Sequence, residues 1–212
     1  MIKLFYYPGN ANLAPHILLE EMGVPYQLQL VDRDKNEHKS EAYLNLNPTG
    51  RIPAMIDDGL IVFESAAICL HLCDKYPDKG LIPKIGTPER TKFYTWLMYL
   101  TNTIQPEVSI WWYSERYTAD SSGVSAIKAA SDQRLNDMFT LIDQQLAKHG
   151  PFFLGKDYTA IDPYLLMVSR FARKTQKPPR NFPVLGKYLE NLLARPAVQH
   201  ALQQEGLEAP FI

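Results

Sequence analysis

The sequence predicts an α/β domain over residues 1–79, a linker over 80–88 and an all-helical domain over 89–212. Three observations lead there. Strand-like and helix-like patterns alternate through the first part. Pro77, Gly80, Pro83, Gly86 and Pro88 then punctuate the chain, as a domain boundary does. Beyond Pro88 the apolar residues recur at helical steps. With 212 residues, 46% of them apolar, the chain can bury a core in each part.

In chain order, "IKLFYY" reads as a strand, "LAPHILLEEM" as a helix ending near Gly23, and "YQLQLV" alternates as a strand should. A polar stretch, "DRDKNEHKSEAYLNLNPTG", leads into the strand "RIPAMI", a turn at Asp58-Gly59, the strand "LIVF" and the helix "ESAAICLHLCDKY". This βαβ unit joined to a hairpin makes a small mixed sheet with helices on its faces. In the second domain, Leu135, Met138, Phe139, Ile142 and Leu146 form a core-facing stripe. "TAIDPYLLMV" carries a capping box, in which Thr159 caps the helix and Asp162 reaches back to the Thr159 N–H. Pro163 sits awkwardly there, because it removes an early helical donor.

Composition excludes several classes of function. A net charge of −1 offers no long-range attraction for nucleic acid or an anionic membrane. The basic cluster Arg170, Arg173, Lys174, Lys177 and Arg180 runs into Pro-Pro and reads as a solvated helix end. The opening run is too short for a signal peptide and no stretch is long enough to span a membrane, so the expected location is the cytoplasm. Cys69 and Cys73, four apart on a helix, read as core packing rather than a redox or metal pair. His16, His38, His71, His149 and His200 show no ligand spacing, so no metal is expected. "GPFFLGKD" imitates a phosphate-binding loop, but Asp157 stands where Ser or Thr should hold magnesium.

Two segments carry chemistry. "YYPGNANLAPHILLEE" is a strand-to-helix turn, where unpartnered helix N–H groups can meet an anion. It offers no Cys, Ser or Lys, only Asn10 and Asn12 with Tyr6 and Tyr7 upstream. If Asn12 is the helix cap, Pro15 falls in the first turn at no cost, which leaves Asn10 free in the loop. In "NPTGRIPAMIDDGLIVFESAAI", a cis Ile52-Pro53 bond is expected to leave the Ile52 N–H and C=O free to pair with an extended peptide. Glu64 can accept from an ammonium, while Ser65 and the helix start can hold a carboxylate. Together these suit an amino-acid-like end.

"YYPGNANLAPHILLEE", "NPTGRIPAMID", "FESAAICLHL" and "TAIDPYLLM", in this order and spacing, resemble a bacterial cytosolic glutathione transferase, and "ARPAVQHALQQEGL" is similar to the tails of its beta-like group. The resemblance covers essentially the whole chain. It implies a thioredoxin-like N-terminal domain, an all-helical C-terminal domain, a homodimer, and glutathione as co-substrate. It implies further that Ile52, beside a cis Pro53, pairs with the cysteinyl backbone, that Glu64 and Ser65 hold the γ-glutamyl end, and that His38, Lys39 and Arg51 lie near the glycyl carboxylate. Ala11 stands where beta-class enzymes carry a cysteine, Asn10 where delta- and theta-like enzymes carry a serine, and Gln105-Pro106 replaces a His-Lys pair of the beta pattern.

A glutathione thiol titrates near the free-cysteine value of about 8.5, so only about 3% is thiolate at pH 7. An amide cannot remove the proton, but it can donate to the thiolate. Asn10, Tyr6 and Asn12 are therefore the catalytic candidates, with Tyr7 a further donor at the strand end. The thiolate would attack an electrophilic, disulfide or peroxide substrate in a pocket drawn from Trp111, Trp112, Tyr113 and Tyr117 at helical spacing, with Arg116 guiding an anionic one. The alternatives are a non-catalytic glutathione-binding or regulatory protein on the same fold, and asparagines that only shape the turn.

Overall fold

The computed structural model describes residues 1–212 and divides into two compact units, Met1–Ile82 with Ala194–Glu208 and Pro83–Leu193 with Ala209–Ile212. In chain order the elements are β1 (Ile2–Tyr6), α1 (Leu13–Met22), β2 (Tyr26–Leu30), α2 (Glu41–Leu44), β3 (Ala54–Asp57), β4 (Leu60–Phe63), α3 (Ser65–Lys75), α4 (Pro88–Tyr99), α5 (Gln105–Trp112), α6 (Val124–His149), α7 (Ile161–Phe171), α8 (Pro183–Leu193) and α9 (Pro196–Gln204). The sequence assigns everything past the linker to the helical domain. The structure instead groups α9 with the first unit, because α9 packs on α1 and its side chains bond there. The short α2 inside the polar stretch is also new.

In the first unit the sheet order is β2-β1-β3-β4. β1 pairs in parallel with β2, Ile2 opposite Tyr26, and antiparallel with β3. A parallel neighbour requires a crossover, and α1 supplies it. Eight of its ten residues are buried, since α3 and α9 pack against it. Gly23, at φ 62°, stops the helix by turning its N–H back to the Leu19 and Glu20 carbonyls. Asp57, buried at the end of β3, accepts from His71 Nε2 at 2.7 Å and Lys75 Nζ at 2.5 Å, which ties the hairpin to α3. Cys69 and Cys73 are buried and unbonded to each other.

In the second unit a π-helical turn, Leu100–Ile104, joins α4 to α5. Leu135, Phe139, Ile142 and Leu146 are buried along α6, with Met138 at the margin. Asp162 does reach back to the Thr159 N–H, at 2.7 Å, but the Thr159 hydroxyl donates to the carboxylate instead of capping. The other carboxylate oxygen accepts from the Phe153 N–H at 3.0 Å and the Tyr188 hydroxyl at 2.6 Å. Burial pushes the Asp162 carboxyl up while these bonds pull it back. Pro163 costs nothing, since it lies in the first turn. The basic cluster is only partly solvated: Arg170 donates to the Phe211 carbonyl and Arg180 to that of Ile212, fastening the chain end. No helix is long and apolar enough to cross a membrane.

Asp162→Ala strands two backbone N–H groups and takes an acceptor from two hydroxyls, those of Thr159 and Tyr188. At about 1–3 kcal/mol per stranded group, the variant is expected to lose at least about 3 kcal/mol, read from the urea unfolding midpoint.

Candidate active site

Tyr7-Pro8-Gly9-Asn10 forms a tight turn closed by the Asn10 N–H on the Tyr7 carbonyl at 3.1 Å. Proline at its second position and Gly9 at φ 67° mark type II geometry, in which the third position needs a positive φ. The Asn10 carbonyl then accepts from the Leu13 N–H at 3.1 Å, and α1 begins.

Behind the turn lies Glu205, 3% exposed. Its carboxylate accepts three bonds of 2.8 Å, from the Gly9 N–H, Asn12 Nδ2 and His16 Nδ1. His16 Nε2 faces Gln204 Oε1 at 2.7 Å and the Tyr26 hydroxyl at 3.0 Å. Asn12 therefore occupies the cap position without capping: its side chain is fully buried, bonds Glu205, and accepts from the Tyr7 N–H at 3.2 Å. The sequence expectation of a side-chain cap is corrected, and an inward-turned Asn12 is removed from the catalytic candidates. A charged acceptor in the core attracts the amide more strongly than the helix's own N–H groups do.

Asn10 points the other way. Its Oδ1 accepts from Arg33 Nη1 at 3.1 Å, and its Nδ2 has no partner in the protein. The Tyr7 hydroxyl is engaged, donating to Asp34 Oδ2 at 3.0 Å. Burial and the nearby Glu205 charge raise the Tyr6 phenol above its ordinary value, which keeps it a neutral donor.

The second segment meets the same unit. Asn47 Nδ2 donates to the Arg51 carbonyl at 2.7 Å, as does the Tyr43 hydroxyl at 2.8 Å. The Ile52-Pro53 bond is cis, and the Ile52 N–H and C=O make no hydrogen bond within the protein. At Gly50, φ 61°, a Cβ would stand 2.6 Å from Lys39 Nζ and 3.0 Å from the His38 carbonyl, so the loop brings His38, Lys39 and Arg51 together. His38 Nδ1 is buried without a partner. Burial, then the Arg33 and Lys39 charges, hold the imidazole below its usual range. Glu64 adopts φ 72° and ψ 120°, a strained conformation for a non-glycine residue, immediately before Ser65 opens α3.

The remaining candidates lie in the second unit, where the single helical stripe expected from sequence is corrected. Tyr113, at φ −125°, ends α5, and a 3₁₀ turn carries Arg116 and Tyr117. Trp111 is core, whereas Trp112, Tyr113 and Tyr117 are exposed. Trp112 Nε1 donates to the Phe171 carbonyl at 2.7 Å, and the Arg116 guanidinium lies 4.1 Å from the Tyr113 ring centre. Sequence reasoning missed Glu205, Arg33, Tyr43 and Asn47. Nothing local marks Glu205 and Arg33, whose partners lie 193 and 23 residues away, while Tyr43 and Asn47 bond the Arg51 carbonyl within their own stretch.

A family model described as the glutathione S-transferase N-terminal domain matches residues 1–74, and one described as the C-terminal domain matches residues 106–205. Glutathione S-transferase GstA of Escherichia coli O157:H7 is 29% identical, over 98% of this chain and 100% of its own. A glutathione transferase structure from Methylococcus capsulatus is 32% identical with a TM-score of 0.85, covering 97% of this chain and 99% of that one. A sphingomonad glutathione S-transferase complexed with glutathione is 29% identical with a TM-score of 0.83, covering 97% and 100%.

Glu205→Gln keeps the shape and removes the charge that three donors converge on. Breaking a buried charge set costs about 3–5 kcal/mol, and a loss of that order is expected in chemical denaturation. Asn12→Ala should lose less, about 1–3 kcal/mol for the stranded Tyr7 N–H and one lost bond. A Glu205→Gln protein as stable as the parent would show that the carboxylate does not hold the turn.

Proposed function

The chain belongs to the glutathione S-transferase family, and from that premise we propose that glutathione lies along the first unit with its sulfur at Asn10. The protein is a glutathione transferase, with glutathione as its co-substrate. One observation carries the assignment of the sulfur site. The Asn10 amide N–H₂ is unspent, whereas the Asn12 amide is given to Glu205 and the Tyr7 hydroxyl to Asp34.

The other contacts follow from groups the protein leaves without partners. The Ile52 N–H and C=O, beside Pro53, suit the cysteinyl backbone. Ser65 and the first N–H groups of α3 suit the γ-glutamyl carboxylate, with Glu64 on its ammonium. Lys39 and Arg51 suit the glycyl carboxylate, and the orphaned His38 Nδ1 lies with them. Trp112, Tyr113, Arg116 and Tyr117 are assigned to the second substrate, an electrophile, disulfide or peroxide.

Asn10 acts by donation. The thiol loses its proton to solvent, and an amide N–H bonds the thiolate more strongly than the thiol. A hydrogen bond to a charged group is worth roughly 1.5–3 kcal/mol, about one to two pKa units. Tyr6, held neutral, is the rival donor. The sulfur lone pair then attacks the electrophile and the leaving group departs with the bonding electrons.

We assign the protein to the cytoplasm, where its two free cysteines stay reduced, and assemble it as a homodimer. Exposed apolar side chains support the second copy: Leu60, Ile61 and Phe63 on the edge strand β4, and Tyr94 and Met98 on α4. Light scattering at micromolar concentration should report twice the chain mass. A monomer there overturns the assembly.

The thiolate absorbance of bound glutathione, titrated against pH, tests the sulfur site. Asn10→Ala should raise the midpoint by about one to two pH units while affinity stays near the parent's. Ser65→Ala should weaken glutathione binding and leave the midpoint in place. A shift in Tyr6→Phe with none in Asn10→Ala would move the role to the tyrosine.

A further inference from the structure

Arg33 lies outside every motif described above, in the connection between β2 and α2. Besides its bond to Asn10 Oδ1 at 3.1 Å, its guanidinium stands 5.7 Å from the centre of the Tyr7 ring. The carboxylates beside it in sequence are turned elsewhere. Asp32 pairs with Lys35 at 3.0 Å, and Asp34 receives the Tyr7 hydroxyl. The connection is itself well braced: Asp32 Oδ1 accepts from the Asp34 and Lys35 N–H groups at 3.0 and 3.2 Å, and the Asp32 N–H donates to Glu37 Oε2 at 2.7 Å. Arg33 is thus presented to the opening turn by a scaffold that does not share the turn's sequence.

A guanidinium carries donors only, so the amide atom facing it must be the oxygen. This fixes the orientation of Asn10. With the Asn10 N–H given to Tyr7 and its C=O taken by Leu13, the N–H₂ facing away from Arg33 is the residue's one unspent donor group. We propose that Arg33 is a positioning residue, holding the Asn10 amide so that its N–H₂ is directed at, and polarised toward, the glutathione sulfur. The inference rests on the reading of Asn10 as the thiolate donor. Two effects combine. The bond restricts an amide that could otherwise turn either face to the ligand, and a cation on the oxygen strengthens donation from the nitrogen. Planarity matters as well, because the guanidinium lies near the Tyr7 ring while it bonds the amide, which a lysine ammonium reproduces poorly.

Other titratable groups face this loop: Asp32, Asp34, Lys35, Glu37 and His38 from the β2–α2 connection, Tyr6 at the end of β1, Tyr7 from the turn itself, and Glu205 from behind. None of these touches the Asn10 amide. Because Arg33 also lowers the His38 imidazole, turnover alone would mix two effects. The readout is therefore the thiolate absorbance of the full-length enzyme at saturating glutathione, followed against pH.

The set is Arg33→Met, Arg33→Lys, Asn10→Ala and the double variant Asn10→Ala/Arg33→Met. Arg33→Met should raise the midpoint by about 0.5–1 pH unit, with Arg33→Lys between it and the parent. The double variant should titrate with Asn10→Ala alone, since a positioning residue has nothing left to position. An unchanged midpoint in Arg33→Met beside a shifted Asn10→Ala overturns the inference and leaves the sulfur site standing. Additive shifts in the double variant also overturn it, because Arg33 would then act on the sulfur as a charge in its own right. An unshifted Asn10→Ala removes the reading on which the inference rests.

Discussion

The first unit depends on one buried carboxylate. An isolated charge at the position of Glu205 would cost several kcal/mol in lost hydration, and only a full set of donors offsets that. The donors are the Gly9 N–H, the Asn12 amide and the His16 imidazole, all from the opening turn and the first turns of α1. The carboxylate is therefore compatible with the core only when the turn has this shape, and the turn is held only when α9 is docked. Around this centre polar pairs accompany the apolar residues that α9 buries, Val198, Ala201 and Leu202. Arg195 forms a two-pronged pair with Glu21 at 2.6 and 2.8 Å, His200 meets Glu20 at 2.7 Å, and Tyr26, kept neutral by burial, also donates to Glu20. Removing α9 would therefore strand several charged groups at once.

The same arrangement recurs at the second loop with neutral groups. Tyr43 and Asn47 take the Arg51 carbonyl, and Asn47 also braces Thr49, so that the backbone around Ile52 is fixed while Ile52 itself stays unpaired. Buried backbone groups are seldom left unpaired. Unpaired Ile52 groups beside a carbonyl that takes two bonds fit the proposed extended ligand. Strain at Glu64 belongs with it, since a non-glycine residue at positive φ persists only where its surroundings hold it there.

Much of this fold was legible in the sequence because its elements are set by local patterns. The strands, the crossover helix, the hairpin turn and the α6 stripe all follow from residues a few places apart. The cis Ile52-Pro53 bond and the helix start at Ser65 were legible for the same reason, each being set by a short local motif. The failures share a different cause. Asn12 looks like a helix cap in any local reading, yet its partner Glu205 is 193 residues away. Arg33 reaches Asn10 across 23 residues, Arg170 reaches the chain end across 41, and the aromatic stripe fails because Tyr113 breaks the helix after Trp112. Charged and amide side chains carry no periodicity that betrays a distant partner, so local reading assigns them to solvent or to the nearest helix end.

The chemistry of the site follows from what the turn lacks. With Ala11 where the beta-class pattern has a cysteine, the enzyme has no thiol of its own to form a mixed disulfide, and both free cysteines are buried in α3. The reactive sulfur must belong to glutathione, so the protein's contribution is electrostatic: it lowers the cost of a charge that forms on the ligand. A base would be poorly suited here. At the proposed sulfur site a carboxylate at position 10 would repel the thiolate it helped to create, whereas an amide would stabilise the anion without competing for its proton. Two layers of charge then surround this neutral donor, Glu205 fixing the turn from inside and Arg33 meeting the amide oxygen from outside. The inner charge is negative and buried beneath the turn, where it bonds the backbone and Asn12 and raises Tyr6. The outer charge is positive and bonds the amide oxygen, and in its proposed role it favours thiolate through the amide. This division lets one short turn keep a rigid shape and still present an anion-stabilising face.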